Sequence, residues 1–139
     1  MAVVGNSKFS NFVYLVYDAW ADMYKIGRSK KERIKSRIRA LKNKWGYDVT
    51  EILLIVETEN ALSADKLEDN VLDKYQKGES DYRATIRVEE RNGKVRKVID
   101  KRNGYKEWFS LSKDEDINDV VDMIKDNSVD ILMENEDYE

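Results

Sequence analysis

Apolar residues follow two rhythms along this chain. Near the start, Phe12-Val13-Tyr14-Leu15-Val16-Tyr17 and, after a polar gap, Met23-Tyr24-Lys25-Ile26-Gly27 form two short runs. Their Val, Tyr and Phe content suits a half-buried pleated surface. Strands this close in sequence pair only as an antiparallel hairpin, because a parallel pair needs a long crossover. The hairpin is therefore expected over residues 11–27, with 18–22 as its connection and Trp20 there as a lid over the core. The period then changes. Ile34, Ile38, Leu41 and Trp45 recur on one stripe at about 100° per residue. That predicts a helix over 31–45, capped by Ser29 and ended by Gly46.

Residues 49–58, VTEILLIVET, are apolar on both faces from Ile52 to Val56, the mark of a central strand covered from two sides. This strand would complete a three-stranded antiparallel sheet. A second helix runs from a cap at Asn60 or Ser63 to about Lys77, before Gly78, with Ala61, Ala64, Val71, Leu72 and Tyr75 on one face. Glu68 falls near the centre of that face. Residues 81–100 read as a β-hairpin around Asn92-Gly93, the preferred pair for a type I′ turn. A two-residue loop there sets Ile86 opposite Ile99 and Glu89 opposite Arg96. Asn103-Gly104 marks a further turn, and Trp108-Phe109 supply apolar area at the edge of the core. A last helix is expected over 113–126, capped by Ser112, with Ile117, Val120, Val121 and Ile124 inward and Asp114, Glu115 and Asp116 in its first turn.

The organisation this predicts is a loose leader at 1–10, one α+β domain over 11–126 and an acidic tail at 127–139. The domain is a three-stranded antiparallel sheet flanked by helices, with an inserted β-hairpin at about 81–102. Val129, Ile131, Leu132 and Met133 give the tail a docking segment. No apolar run approaches the eighteen or so residues that span a bilayer, and the first ten residues lack the pattern of a secretory signal. A cytoplasmic protein is expected.

Composition narrows the chemistry. Cysteine and histidine are both absent, which removes disulfides, thiol nucleophiles, zinc-finger spacings and His-based triads. Catalysis would rest on Tyr, Lys, Arg, Asp or Glu, and any metal would be a hard cation held by oxygen, such as magnesium or manganese. The net charge of −3 hides strong segregation. Residues 25–44 hold ten basic side chains and one acid, net +9, and residues 83–106 are net +6. Residues 114–139 are net −10. The two cationic regions suit a polyanion, and the acidic end could repel or mimic one.

Glu68 stands out, because a carboxylate does not enter an apolar helix face without a partner. A salt bridge with Arg37, Arg39 or another cation is one solution; a metal ion is the other. Arg37 projects roughly 70° from the centre of its helix's apolar stripe and Arg33 about 110°, so Arg37 leans further across the protein's own surface. Ordinarily such an arginine snorkels to water.

These residues also carry a resemblance. FVY at 12–14, ten intervening residues and KIG at 25–27 resemble the paired motifs of the GIY-YIG endonucleases, most closely the phage and viral branch with a KIG second motif. RxxxL at Arg37 and Leu41, LEDNVL around Glu68 and the EWF triplet at 107–109 extend the likeness. It implies metal-dependent hydrolysis of phosphodiester bonds in DNA, with RNA left open, by a phage-encoded protein acting in its host cell. Catalytic roles carry over to Tyr14, Arg37 and Glu68, with Glu68 holding Mg2+ or Mn2+. Lys25 stands where the family's namesake has tyrosine, and would serve as proton acceptor or phosphate contact. Gly27, Arg28, Lys30 and Arg33 would meet the substrate, and Glu107 could add a second carboxylate. Tyr24 is one residue out of register and should face the other side of its strand. Two alternatives stay open: a nuclease-like domain that binds nucleic acid without cutting, and a regulatory or inhibitory protein that engages a protein partner through its acidic C-terminal region.

Overall fold

The structure is a computed structural model and describes residues 10–43, 49–76, 85–100 and 107–137. Its centre is a five-stranded, fully antiparallel sheet. Strands β1 (Phe12–Asp18) and β2 (Met23–Ser29) form the first hairpin, and β3 (Val49–Glu57) pairs with the other edge of β1. The hairpin β4 (Thr85–Arg91) and β5 (Lys94–Asp100) stands as a separate two-stranded sheet. Two more strands complete the main sheet: β6 (Trp108–Phe109) beside β2 and β7 (Asp130–Asp137) beside β3. The order is β6-β2-β1-β3-β7. Around the sheet lie α1 (Ile34–Asn43), α2 (Ala61–Tyr75) and α3 (Ile117–Asp126).

Strand alternation sorts the core into two halves. Phe12, Tyr14 and Val16 join Met23, Trp108 and the α1 stripe Ile34, Ile38 and Leu41 on one face. Val13, Leu15, Ile26 and Phe109 join Ala64, Leu67 and Val71 of α2 and Val120 and Ile124 of α3 on the other. Residues 52–56 of β3 are all buried, as their apolar run requires. The sheet is thus covered from both sides, with the basic helix on one face and the acidic one on the other.

Several expectations hold. The inserted hairpin keeps the register Ile86↔Ile99 and Glu89↔Arg96. Asn92 (φ 54°) and Gly93 (φ 76°) are both left-handed, as a type I′ turn demands. Asn60 caps α2, accepting from the Ser63 amide at 2.8 Å. Asn60→Ala is expected to cost about 1 kcal/mol, read as a lower denaturation midpoint with unchanged denaturant slope.

Other expectations are corrected. The sheet has five strands rather than three. Trp108-Phe109 is too short to read as a strand alone, and the acids around Ile131 and Leu132 mask an edge strand, where charge is tolerated because one side faces water. The acidic end is therefore not a free tail, since β7 pairs along β3. Ser29 does not cap α1. It closes β2, buried, with no partner for its hydroxyl among the described residues, and a 3-10 turn at Lys31–Arg33 leads into the helix. The last helix begins at Ile117, because Asp116 outcompetes Ser112 by accepting from the Asn118 amide at 2.9 Å. Asp114 and Glu115 thus precede the helix. Trp20 is 76% exposed in the β1–β2 connection, so it is not buried as a lid over the core would be. Trp45, Gly46, Gly78, Asn103-Gly104 and nearly all of the leader lie outside the described residues.

Candidate active site

Tyr14 lies mid-strand in β1 and points to the α1 face, where it is 4% exposed. Its register partner on β2 is Gly27. A Cβ built on Gly27 would sit 2.4 Å from Tyr14 Cζ and Oη, so a side chain at 27 and the tyrosine ring exclude one another. That is why position 27 needs glycine. The backbone approach it permits is by Tyr14's own ring.

Lys25 is two residues back on the same strand face and only 2% exposed. Its Nζ donates to Tyr14 Oη at 3.0 Å and to Glu107 Oε2 at 2.9 Å. Burial alone would lower the lysine's pKa, but the Tyr14 oxygen and the Glu107 carboxylate outweigh it and hold the ammonium well above its usual range. A lysine so placed keeps its proton, and its ammonium is engaged by Tyr14 and Glu107.

Glu68 comes to the same neighbourhood from α2, on the sheet's other face. It is half-buried and makes no hydrogen bond or ion pair with any described residue. The salt bridge to Arg37 or Arg39 is therefore not made. Burial, reinforced by the Glu107 carboxylate, pushes the Glu68 carboxyl from an ordinary 4.5 up to about 7, against the opposing pull of Lys25 and Arg28. Those influences place Glu68, Glu107, Lys25 and Arg28 in one electrostatic cluster beside β2. Strand β6 covers β2 only at Tyr24 and Lys25, so β6 does not pair with the edge of β2 at Ile26 and Gly27.

The remaining candidates separate. Arg28 is half-buried, donates to the Ala61 carbonyl at 3.3 Å and pairs with Asp65 at 3.7 Å; it ties β2 to the start of α2. Lys30 is half-buried just beyond β2, and Arg33 is exposed in the 3-10 turn. Arg37 is exposed on α1 and forms no ion pair among the described residues. It shares the α1 face of the sheet with Tyr14, while Glu68 belongs to α2. Tyr24 faces the opposite side, stacked on Phe109 with centroids 5.8 Å apart, as its register requires.

Glu107 and Asp65 matter more than their sequence context suggests. Asp65 could have been found: it precedes Glu68 by three residues and so shares its side of α2. Nothing local marks Glu107 as the partner of Lys25, 82 positions away.

The T5orf172 domain profile matches residues 11–125, from the residue before β1 to the penultimate residue of α3. The chain belongs to the T5orf172 family. T5orf172 is a phage-associated domain of nuclease-like proteins, and the match takes in Tyr14, Lys25, Arg37, Glu68 and Glu107 together. No curated protein and no solved structure matches the chain. Among the described residues no helix is long and apolar enough to cross a membrane.

The donor set fits a hard cation of one kind. No three acidic side chains converge among the described residues, so a fully proteinaceous calcium-type cage is absent there. One half-buried carboxylate without a partner, with the rest of the shell left to water and substrate oxygens, is how magnesium is commonly held.

Proposed function

We propose that this T5orf172 protein is a divalent-metal-dependent endonuclease of the GIY-YIG type that hydrolyses phosphodiester bonds in DNA. The observation that carries the reading is Glu68, a half-buried carboxylate held near neutrality in its titration, without a partner among the described residues and within electrostatic reach of Lys25, which in turn donates to Tyr14. A carboxylate in that state is costly unless a cation or proton joins it.

In this reading Tyr14 is the catalytic oxygen. The Lys25 ammonium orients it and would stabilise it as the phenolate, the form able to take a proton from the attacking water. Arg37, exposed and uncommitted among the described residues, clamps the scissile phosphate from α1, with Lys30 and Arg33 beside it on the substrate path. Gly27 acts by admitting the Tyr14 ring. Arg28 acts by holding α2, and hence Glu68, against β2. Glu68 would hold Mg2+ or Mn2+, which when bound supplies Lewis-acid stabilisation of the phosphate and leaving oxygen.

The charge layout supports a nucleic acid approaching over α1. Lys31, Arg33, Lys35, Arg37, Arg39 and Lys42 are all exposed there, whereas α3 and its approach expose Asp114, Asp119, Asp122 and Asp126. Duplex phosphates would be drawn to the first face and repelled by the second.

The test is nicking of supercoiled plasmid in Mg2+. Arg37→Ala is expected to lower the rate by about a hundredfold or more, the usual cost of losing a charge-stabilising donor. Arg96→Ala, on the inserted hairpin, should change it little. Binding measured without metal should weaken steeply with salt. Equal nicking by wild type and Arg37→Ala would remove the arginine from the site.

A further inference from the structure

Glu107 is the side chain whose position the proposed chemistry leaves unexplained. It sits immediately before β6, a strand of two residues that pairs Trp108 with Lys25 and Phe109 with Tyr24. The Trp108 carbonyl accepts from Gln76 Nε2 at 2.7 Å, so the end of α2 pins this strand in place. From there Glu107 reaches Lys25 at 2.9 Å, and Lys25 in turn reaches Tyr14 at 3.0 Å with its Nζ 5.0 Å from the ring centroid. Glu107, Lys25 and Tyr14 thus form a chain that runs inward from Glu107, whose side chain is 32% exposed, to Lys25, whose side chain is 3% exposed, and on to the buried Tyr14.

A lysine has three protons to donate and a flexible four-carbon stem. Tyr14 alone would not fix its direction, and an uncompensated ammonium at this depth would be costly. Glu107 supplies both the counter-charge and the second anchor. By the same contact its Oε2 is committed to Lys25.

We infer that Glu107 is a positioning residue, which locks the Lys25 ammonium onto the Tyr14 oxygen and does not itself ligate the cation. The inference rests on the reading of Tyr14 as the catalytic oxygen. It gives the two neighbouring carboxylates different roles, with Glu68 serving the cation and Glu107 serving the tyrosine.

A double-mutant cycle on plasmid nicking tests this, using the full chain. Glu107→Gln is expected to lower kcat by about tenfold to a hundredfold, the range in which outer partners orient a reacting group. KM should stay unchanged, and the Mg2+ concentration for half-maximal rate should not rise, because losing the Glu107 charge favours the ionised form of Glu68. Lys25→Met should cost at least as much, and adding Glu107→Gln to it should cost nothing more. Glu107→Asp, which keeps the charge, should recover part of the rate. Losses that multiply, or a raised Mg2+ requirement in Glu107→Gln, would overturn the assignment. Heteronuclear NMR of the lysine ammonium groups supplies a readout without catalysis. Wild type should show one exchange-protected ammonium, absent in Lys25→Met and weakened in Glu107→Gln. Undiminished protection in Glu107→Gln would also overturn it. Should wild type fail to nick, the nuclease reading falls, and the ammonium signal alone decides whether Glu107 fixes Lys25.

Discussion

Glu68→Gln is expected to abolish magnesium-dependent cleavage while making the folded chain more stable above neutral pH. The two effects have one cause. The Glu68 carboxyl titrates at about 7 in the folded chain against an ordinary 4.5, so between those values the folded state holds more protons than the unfolded one. Its contribution to stability is fully present below about pH 4.5 and is lost as pH rises through about 7. The full shift would correspond to roughly 3 kcal/mol, and partial exposure to water reduces that to about 1–2 kcal/mol. Glutamine keeps the shape and removes the charge. Near pH 8 the variant should therefore melt roughly 3–8 °C above wild type. Added Mg2+ should raise the wild-type midpoint at that pH and leave the variant unmoved. Thermal unfolding at two pH values, with and without Mg2+, separates these outcomes. A variant no more stable than wild type near pH 8 would mean that Glu68 has a partner after all.

Gly27→Ala is expected to have the second largest effect, although it adds a single methyl. The new carbon would sit 2.4 Å from Tyr14 Cζ and Oη, well inside any permitted contact, and the ring is buried and held by Lys25. Either the strand shifts or the tyrosine leaves its seat. Overpacking of this kind costs about 1–3 kcal/mol, and the displaced oxygen should take the cleavage rate down by about a hundredfold or more. Tyr14→Leu added to Gly27→Ala should recover stability, because the smaller side chain vacates the clash, but not activity. Denaturant midpoints and nicking rates on the three variants check both halves. If Gly27→Ala retained the wild-type rate, the seat of Tyr14 would not matter to the chemistry.

What the sequence made legible follows from how local each feature is. The β1–β2 hairpin, the α1 stripe, the both-sides-buried β3 and the Asn92-Gly93 turn with its register depend on contacts or patterns within a few residues. Periodicity and turn chemistry sufficed for them. The two outer strands did not show, because β6 owes its existence to the exposed edge of β2 and β7 to the exposed edge of β3. Neither edge can be seen from Trp108-Phe109 or Asp130–Asp137 alone. Helix starts slipped for a similar reason: Ser29 and Ser112 are good caps by type, but tertiary burial claimed the first and Asp116 displaced the second. At the site, Tyr14 and Gly27 could be named from their motifs, while the reason for the glycine appears only when the ring is seen to occupy the space of its absent Cβ. The anomaly of Glu68 was legible as a carboxylate near an apolar face. Glu107 was legible only as a candidate second carboxylate, from the EWF triplet; its link through Lys25 to Tyr14 joins positions distant along the chain and required the folded strand order.

The corrected C-terminal strand also changes how an inhibitory or partner-binding role would be tested. Residues 130–137 pair along β3, so deleting them would strip an edge from the sheet rather than remove an appendage. Charge reversal at exposed Asp130 and Glu134, leaving Ile131 and Met133 in place, probes that surface without that damage, although Glu134 also pairs with Lys125.

The most direct measurement is cleavage of an end-labelled DNA duplex by wild type and Glu68→Gln side by side, with Mg2+ and with a chelator. Scission by wild type only when Mg2+ is present, and none by the variant under either condition, is expected. Cleavage that survives in Glu68→Gln, or that proceeds equally well in chelator, would contradict the site.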